Sequence, residues 1–132
     1  MEFTGERFIP EKLKENDEIY QEHLERYRFA CHYIKDLVVL DAACGSGFGT
    51  RMMSDIAKKV YGIDISNESI EYAKEKYSNK NIIYEQMDVA KLKYPDNFFD
   101  VVVSFETIEH VPAPEEFLKE VYRVLKSGGG GD

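Results

Sequence analysis

The chain has 132 residues, enough for one domain with a modest core, and its hydrophobic fraction of 43% is that of an ordinary globular protein. The formal net charge of −8 argues against a duplex-DNA or RNA-backbone partner, because neutralising phosphates takes clustered Lys and Arg. No apolar run approaches the roughly 18 residues of a membrane span, and Met1-Glu2-Phe3-Thr4 does not open a signal peptide, so no membrane partner is expected. Cys31 and Cys44 are the only cysteines and have no paired spacing, which suits a reduced, cytoplasmic protein. His23, His32 and His110 are scattered, so no metal site is expected.

Residues 1–14 read as a loop carrying Gly5, Pro10 and the mixed run Glu11-Lys12-Leu13-Lys14. Phe3, Phe8 and Ile9 are too apolar for a disordered tail and should lie on the domain. A helix is expected from about Asp17 to Ile34, capped by Asn16 or Asp17. Ile19, Leu24, Tyr27, Cys31 and Ile34 recur at helical steps and make its buried stripe. Arg26 and Arg28 flank that stripe. Pairing with Glu22 and Glu25 competes there with a role for Arg7 or Arg26 near a ligand carboxylate. Tyr20, Tyr27 and Tyr33 read as packing residues.

The stretch from Val38 to Thr50 follows, with an apolar run into Asp41 and glycines at positions 45, 47 and 49. It reads as a buried strand, a tight glycine turn and a helix start, a combination that lets backbone approach a ligand. The spacing is GxGxG rather than the GxGxxG of nicotinamide enzymes, and no Lys-Ser/Thr follows, which excludes a P-loop. The next helix should run from about Gly49 to Ile56, with Met52, Met53 and Ile56 facing the sheet. Strand two is Lys59–Asp64. Its terminal acid lies 15 residues beyond Gly49, at the end of a strand adjacent to the first. In a parallel sheet both ends face one crevice, where a carboxylate can accept the two hydroxyls of a ribose; starting the turn into the next helix is the competing role.

The third helix spans about Asn67 to Tyr77, with Ser66 as a cap and Ile70, Ala73 and Tyr77 as its apolar stripe. Strand three is Ile82–Gln86, leading into Met87-Asp88-Val89, where Asp88 either turns the chain or accepts from an exocyclic amine. After the turn Tyr94-Pro95-Asp96-Asn97, strand four reads Phe98–Phe105, apolar enough for burial on both faces. Polar residues Glu106, Glu109 and His110 follow its end. A last helix runs from about Pro114 to Leu125, burying Phe117, Leu118, Val121, Val124 and Leu125 and stopping at Ser127-Gly128. The alternation is that of half an open α/β sheet.

These residues resemble the amino-terminal part of a class I S-adenosylmethionine-dependent methyltransferase, over about residues 36 to 129. The resemblance rests on Asp41 followed by Gly45, Gly47 and Gly49, on the acids Asp64 and Asp88, and on Arg123-Val124-Leu125-Lys126-Ser127-Gly128-Gly129, where Ser127 replaces the family's proline. It implies a Rossmann-like open, mainly parallel sheet with helices on both faces, strand order 3-2-1-4, truncated after the helix that follows strand four. Residues 1–35 would be a leader and amino-terminal helix, and residues 36–132 a partial cofactor-binding domain. The cofactor implied is S-adenosyl-L-methionine, with S-adenosyl-L-homocysteine as product. Asp41, Ala43, Gly45 and Gly47 would lie at its methionine end. Asp64 would hold the ribose, with Ile65, Met87, Asp88 and Val89 around the adenine. Ser104 would lie at the end of strand four.

The implied reaction is methyl transfer to a small-molecule acceptor. His110, after strand four, is the candidate base because an ordinary imidazole pKa near 6.5 suits the task; a packing or capping role, or a cofactor-side hydrogen bond, competes with that reading. The leader Phe3–Glu11 resembles the opening of some bacterial members and does not identify an acceptor. A nicotinamide oxidoreductase fits poorly. A cofactor-binding or assembly fragment without turnover remains the alternative. The family's sheet normally has seven strands, so residues 99–105 are expected to form an apolar edge, which favours a two-fold homodimer through strand four. An exchanged element, or a monomer whose leader folds over the edge, are the other arrangements.

Overall fold

A computed structural model describes residues 18–105 and 111–127, apart from the side chains of Ile19 and Tyr20. Expectations about the leader, Glu106, Glu109, His110 and the terminal glycines therefore lie outside the described residues. The element order is α1 (Glu18–Cys31), β1 (Val38–Ala42), α2 (Phe48–Ser54), β2 (Lys59–Asp64), α3 (Asn67–Lys76), β3 (Ile82–Gln86), β4 (Val101–Ser104) and α4 (Pro114–Val124). The four strands form one parallel sheet in the order β3-β2-β1-β4, as the family resemblance implied.

Alternation along the strands divides the core between two faces. Val39, Val60 and Val103 meet Tyr27 and Ala30 from α1, Ile34 just beyond it and Met53 from α2. Leu40, Ile63 and Phe99 meet Val124 of α4 on the other face, together with Met87, Leu92 and Tyr94. A smaller cluster seats α3, through Ile70 and Ala73, against Tyr84 and Cys44. Helices thus cover both faces, and the carboxyl ends of β1, β2 and β4 open at one rim.

The local differences from the sequence reading have physical causes. α1 stops at Cys31 because His32 and Tyr33 close tight turns onto Phe29 and Ala30, yet Ile34 beyond the helix is fully buried. α2 ends at Ser54 with Asp55 as its cap, so Ile56 turns outward and is 36% exposed, while Met53 is fully buried. Leu118 of α4 is also half-exposed; Phe117 and Val124 do the burying.

Strand four is shorter than its apolar run. The Phe98 and Phe99 N–H groups donate to the Val124 carbonyl, Lys126 N–H donates to the Phe99 carbonyl, and Phe99 forms a parallel bridge with Leu125. The chain leaving α4 therefore runs beside the start of β4, and Phe99 is not part of an open edge. Val101 and Val102 are only half-buried, not enclosed on both faces as their sequence suggested.

Candidate functional site

The turn after β1 is built on three left-handed backbones: Ala43 (φ 67), Gly45 (φ 59) and Gly47 (φ 97). Glycine adopts this conformation freely, whereas Ala43 does so at a cost of about 1–2 kcal/mol. Strain of this kind persists only where surrounding contacts over-determine the backbone. Here Cys44 N–H donates to the Ile63 carbonyl at 2.8 Å and Gly45 N–H to Asp64 Oδ2 at 2.9 Å. The Tyr84 hydroxyl, from β3, donates to the Tyr77 carbonyl at 2.7 Å and reaches the Gly47 carbonyl at 3.3 Å. A Cβ on Gly47 would stand 2.7 Å from the Ala73 Cβ and 2.8 Å from the Tyr84 oxygen, so only glycine admits α3 and β3 this close.

Two carboxyls lie under the turn in different settings. Asp64 ends β2 and is 6% exposed. Its Oδ2 accepts from Gly45 N–H and its Oδ1 from Ser66 N–H, both at 2.9 Å. With each oxygen accepting from a backbone N–H, the carboxylate is held in one orientation beside the turn. Asp41 is 1% exposed. Thr50 Oγ1 donates to its Oδ2 at 2.7 Å, and the Tyr27 hydroxyl lies 3.2 Å from Oδ2 and 3.4 Å from Oδ1. Burial pushes the Asp41 pKa up to about 7; the Thr50 and Tyr27 hydroxyls oppose that rise, and the nearby Asp64 adds to it.

The other residues expected at the site divide. Ile65 is 66% exposed directly beside Asp64. Asp88 is exposed, its Oδ1 accepting from Ala90 N–H at 2.9 Å, a local turn bond. Met87 is core, packed with Leu40 and Ile63, and Val89 is half-buried against the same cluster. Ser104 pairs in register with Ala42, whose cluster contains Val111 and Phe117 of the α4 face. The pleat therefore sends the Ser104 side chain to the sheet face opposite Asp41. Its Oγ is buried with no partner among the described residues. Asp41, Ala43, Gly45, Gly47, Asp64 and Ile65 are brought together; the Ser104 hydroxyl is not. His110 lies outside the described residues. Among the described residues, no three His, Cys, Asp or Glu side chains converge as metal ligands.

Sequence reading missed Tyr27, Thr50 and Tyr84. Thr50 had a signal, since it directly follows the last glycine of the motif, in the first turn of α2. Tyr27 and Tyr84 had none beyond apolar periodicity, because their hydroxyls find partners 14 and 37 residues away.

Residues 40–130 match the family model described as a methyltransferase domain. The chain is 35% identical over 126 residues to a probable S-adenosylmethionine-dependent methyltransferase of Mycolicibacterium smegmatis, an alignment covering 96% of this chain and 48% of that protein. It is 32% identical over 98 residues to a ubiquinone biosynthesis O-methyltransferase of Coxiella burnetii, covering 73% and 42%. Among solved structures, a SAM-dependent methyltransferase from Aquifex aeolicus superposes with a TM-score of 0.70 at 29% identity, covering 91% of this chain and 69% of that one. The chain spans about half the length of the curated relatives it matches. With the acid, glycine turn and second acid folded onto one rim of a 3-2-1-4 sheet, the chain belongs to the class I S-adenosylmethionine-dependent methyltransferases.

Proposed function

We propose that this chain binds S-adenosyl-L-methionine at the Gly45–Gly47 turn and serves methyl transfer to a small-molecule acceptor. The observation that carries this reading is the Asp64 carboxylate, held by Gly45 N–H and Ser66 N–H at the mouth between β1 and β2. The donor set fits the ligand. Asp64 suits the ribose hydroxyls, exposed Ile65 an apolar base, and exposed Asp88 an exocyclic amine. Buried Asp41 suits a cationic end. When bound, the cofactor supplies an electrophilic methyl group on a sulfonium. The chain's own part is to bind and orient it, which is where much of such catalysis arises. Met87 and Val89 belong to this reading as the floor behind the base, Ala43 as a backbone contact, and Ser104 through its backbone. His110 remains the proposed base.

Residues 36–132 act in this reading as the cofactor-binding unit, with α1 packed onto it. Two free cysteines, Cys31 and Cys44, suit a reducing cytoplasm. No helix among the described residues is long and apolar enough to cross a membrane. Association of two copies would use Val101–Ser104 rather than the whole of residues 99–105, since Phe99 is already bridged to Leu125.

Titration calorimetry with S-adenosylmethionine, S-adenosylhomocysteine and NAD tests the binding reading. Preference for the first two is expected; preference for NAD, or no binding by a folded sample, rejects it. Cofactor binding without methyl transfer to any acceptor would favour the non-catalytic alternative.

A further inference from the structure

The amino-terminal helix reaches into the glycine turn through one side chain. The Tyr27 ring lies over Gly49, where any Cβ would overlap its Cζ, Cε1 and Cε2 atoms. Phe105 packs against the ring edge-on at 5.0 Å. The hydroxyl at the far end meets Asp41, which also holds Thr50 at the start of α2. Three elements, α1, β1 and α2, thus converge on one carboxyl with 1% exposure. Such a group has no open surface for a ligand, but its charge acts strongly across a low-dielectric interior.

We infer that Tyr27 is a positioning residue: with Thr50, it holds Asp41 as the buried countercharge to the cationic end of a ligand at the turn. The inference rests on the proposed S-adenosylmethionine site. Ammonium and sulfonium are both cationic, and Asp41 favours them only while ionised. Desolvation works against that ionised state, as does Asp64; the two hydroxyls work for it. Among the described residues, the other titratable groups in electrostatic range are Cys44 in the turn and Tyr84 from β3, both kept neutral by burial. β4 contributes the apolar Val103 at this point, and Phe105 follows just beyond its end. Tyr27 itself is held neutral far above neutral pH, so it can only donate.

The test compares parent, Tyr27→Phe and Thr50→Val with Thr50→Ser as the conservative rescue. S-adenosylhomocysteine affinity is measured by calorimetry from pH 6 to 8.5, and the Asp41 carboxyl is followed by carbon NMR without ligand. Losing one donor should move the Asp41 midpoint up by about one pH unit, a tenfold change in its protonation constant. Affinity of Tyr27→Phe should then fall about three- to tenfold at neutral pH and approach the parent at the alkaline end. Thr50→Ser should keep the parent's midpoint. A role in packing alone predicts an unshifted midpoint and an equal loss at every pH, and that result overturns the inference. Absence of binding by the parent overturns the cofactor reading itself, and the inference with it. Binding by the parent with an unmoved midpoint in Tyr27→Phe overturns the inference alone.

Discussion

Gly49→Ala opposes two rules and has a sign that only the packing decides. Gly49 lies inside α2, where alanine is the better helix former by up to about 1 kcal/mol. On that basis the substitution should stabilise the chain. In the fold, the new methyl would land on the Tyr27 ring, which Phe105 and the strand residues of its core cluster hold in place. Overpacking of this kind costs about 1–3 kcal/mol. Displacing the ring also pulls the hydroxyl from Asp41, a contact to a charged group worth about 1.5–3 kcal/mol. Set against the helix gain, the net expectation is a loss of about 2–4 kcal/mol. Urea unfolding followed by circular dichroism measures it, as a lower midpoint at unchanged slope. A cycle with Tyr27→Leu locates the cause: Gly49→Ala should cost at least about 1 kcal/mol less once the ring is gone. A neutral or stabilising Gly49→Ala in the parent background would refute the argument.

The remaining expectations concern the turn and its acids. Ala43→Gly relieves the strained backbone at φ 67 and should raise stability by about 0.5–1 kcal/mol after the added chain entropy, seen as a higher melting temperature; a decrease would show that the strain is not there. Asp41, with its pKa raised from 3.8 to about 7, binds a proton in the folded state that the unfolded chain releases. Its contribution to stability is whole below about pH 4 and is lost as pH rises to about 7, by up to about 1.4 kcal/mol per unit. Asp41→Asn should therefore gain on the parent between pH 5 and 8, and a pH-independent difference between them would contradict the buried acid. Asp64→Asn keeps one acceptor for the two backbone donors but loses the charge, and should weaken S-adenosylhomocysteine binding by about 2–4 kcal/mol; equal affinity in a folded variant would remove Asp64 from the ribose role.

Much of this was legible in the linear chain because it is local. Strands β2 and β3 follow from short β-branched and aromatic runs bounded by turns, and their observed limits are those expected. Ser66 caps α3 by accepting from Ser69 N–H, as its place before the helix implied. The acid and glycine spacing marked the turn, because a left-handed backbone beside a ligand leaves few residue types to choose from. Family resemblance, rather than periodicity, supplied the strand order.

Tertiary structure decided what depends on partners far along the chain. The apolar run of residues 98–105 could not say that Phe99 would pair with Leu125 while Val101 and Val102 stay half-buried, because strand pairing is a long-range choice. Ser104 could not be assigned a face until its register with Ala42 was known, since a one-residue slip sends every side chain to the other side. Tyr27 read as a packing residue on an amphipathic helix, and its ring does pack. That its hydroxyl also meets Asp41 follows from where α1 docks on the sheet, and no spacing within the helix encodes the distance between two elements.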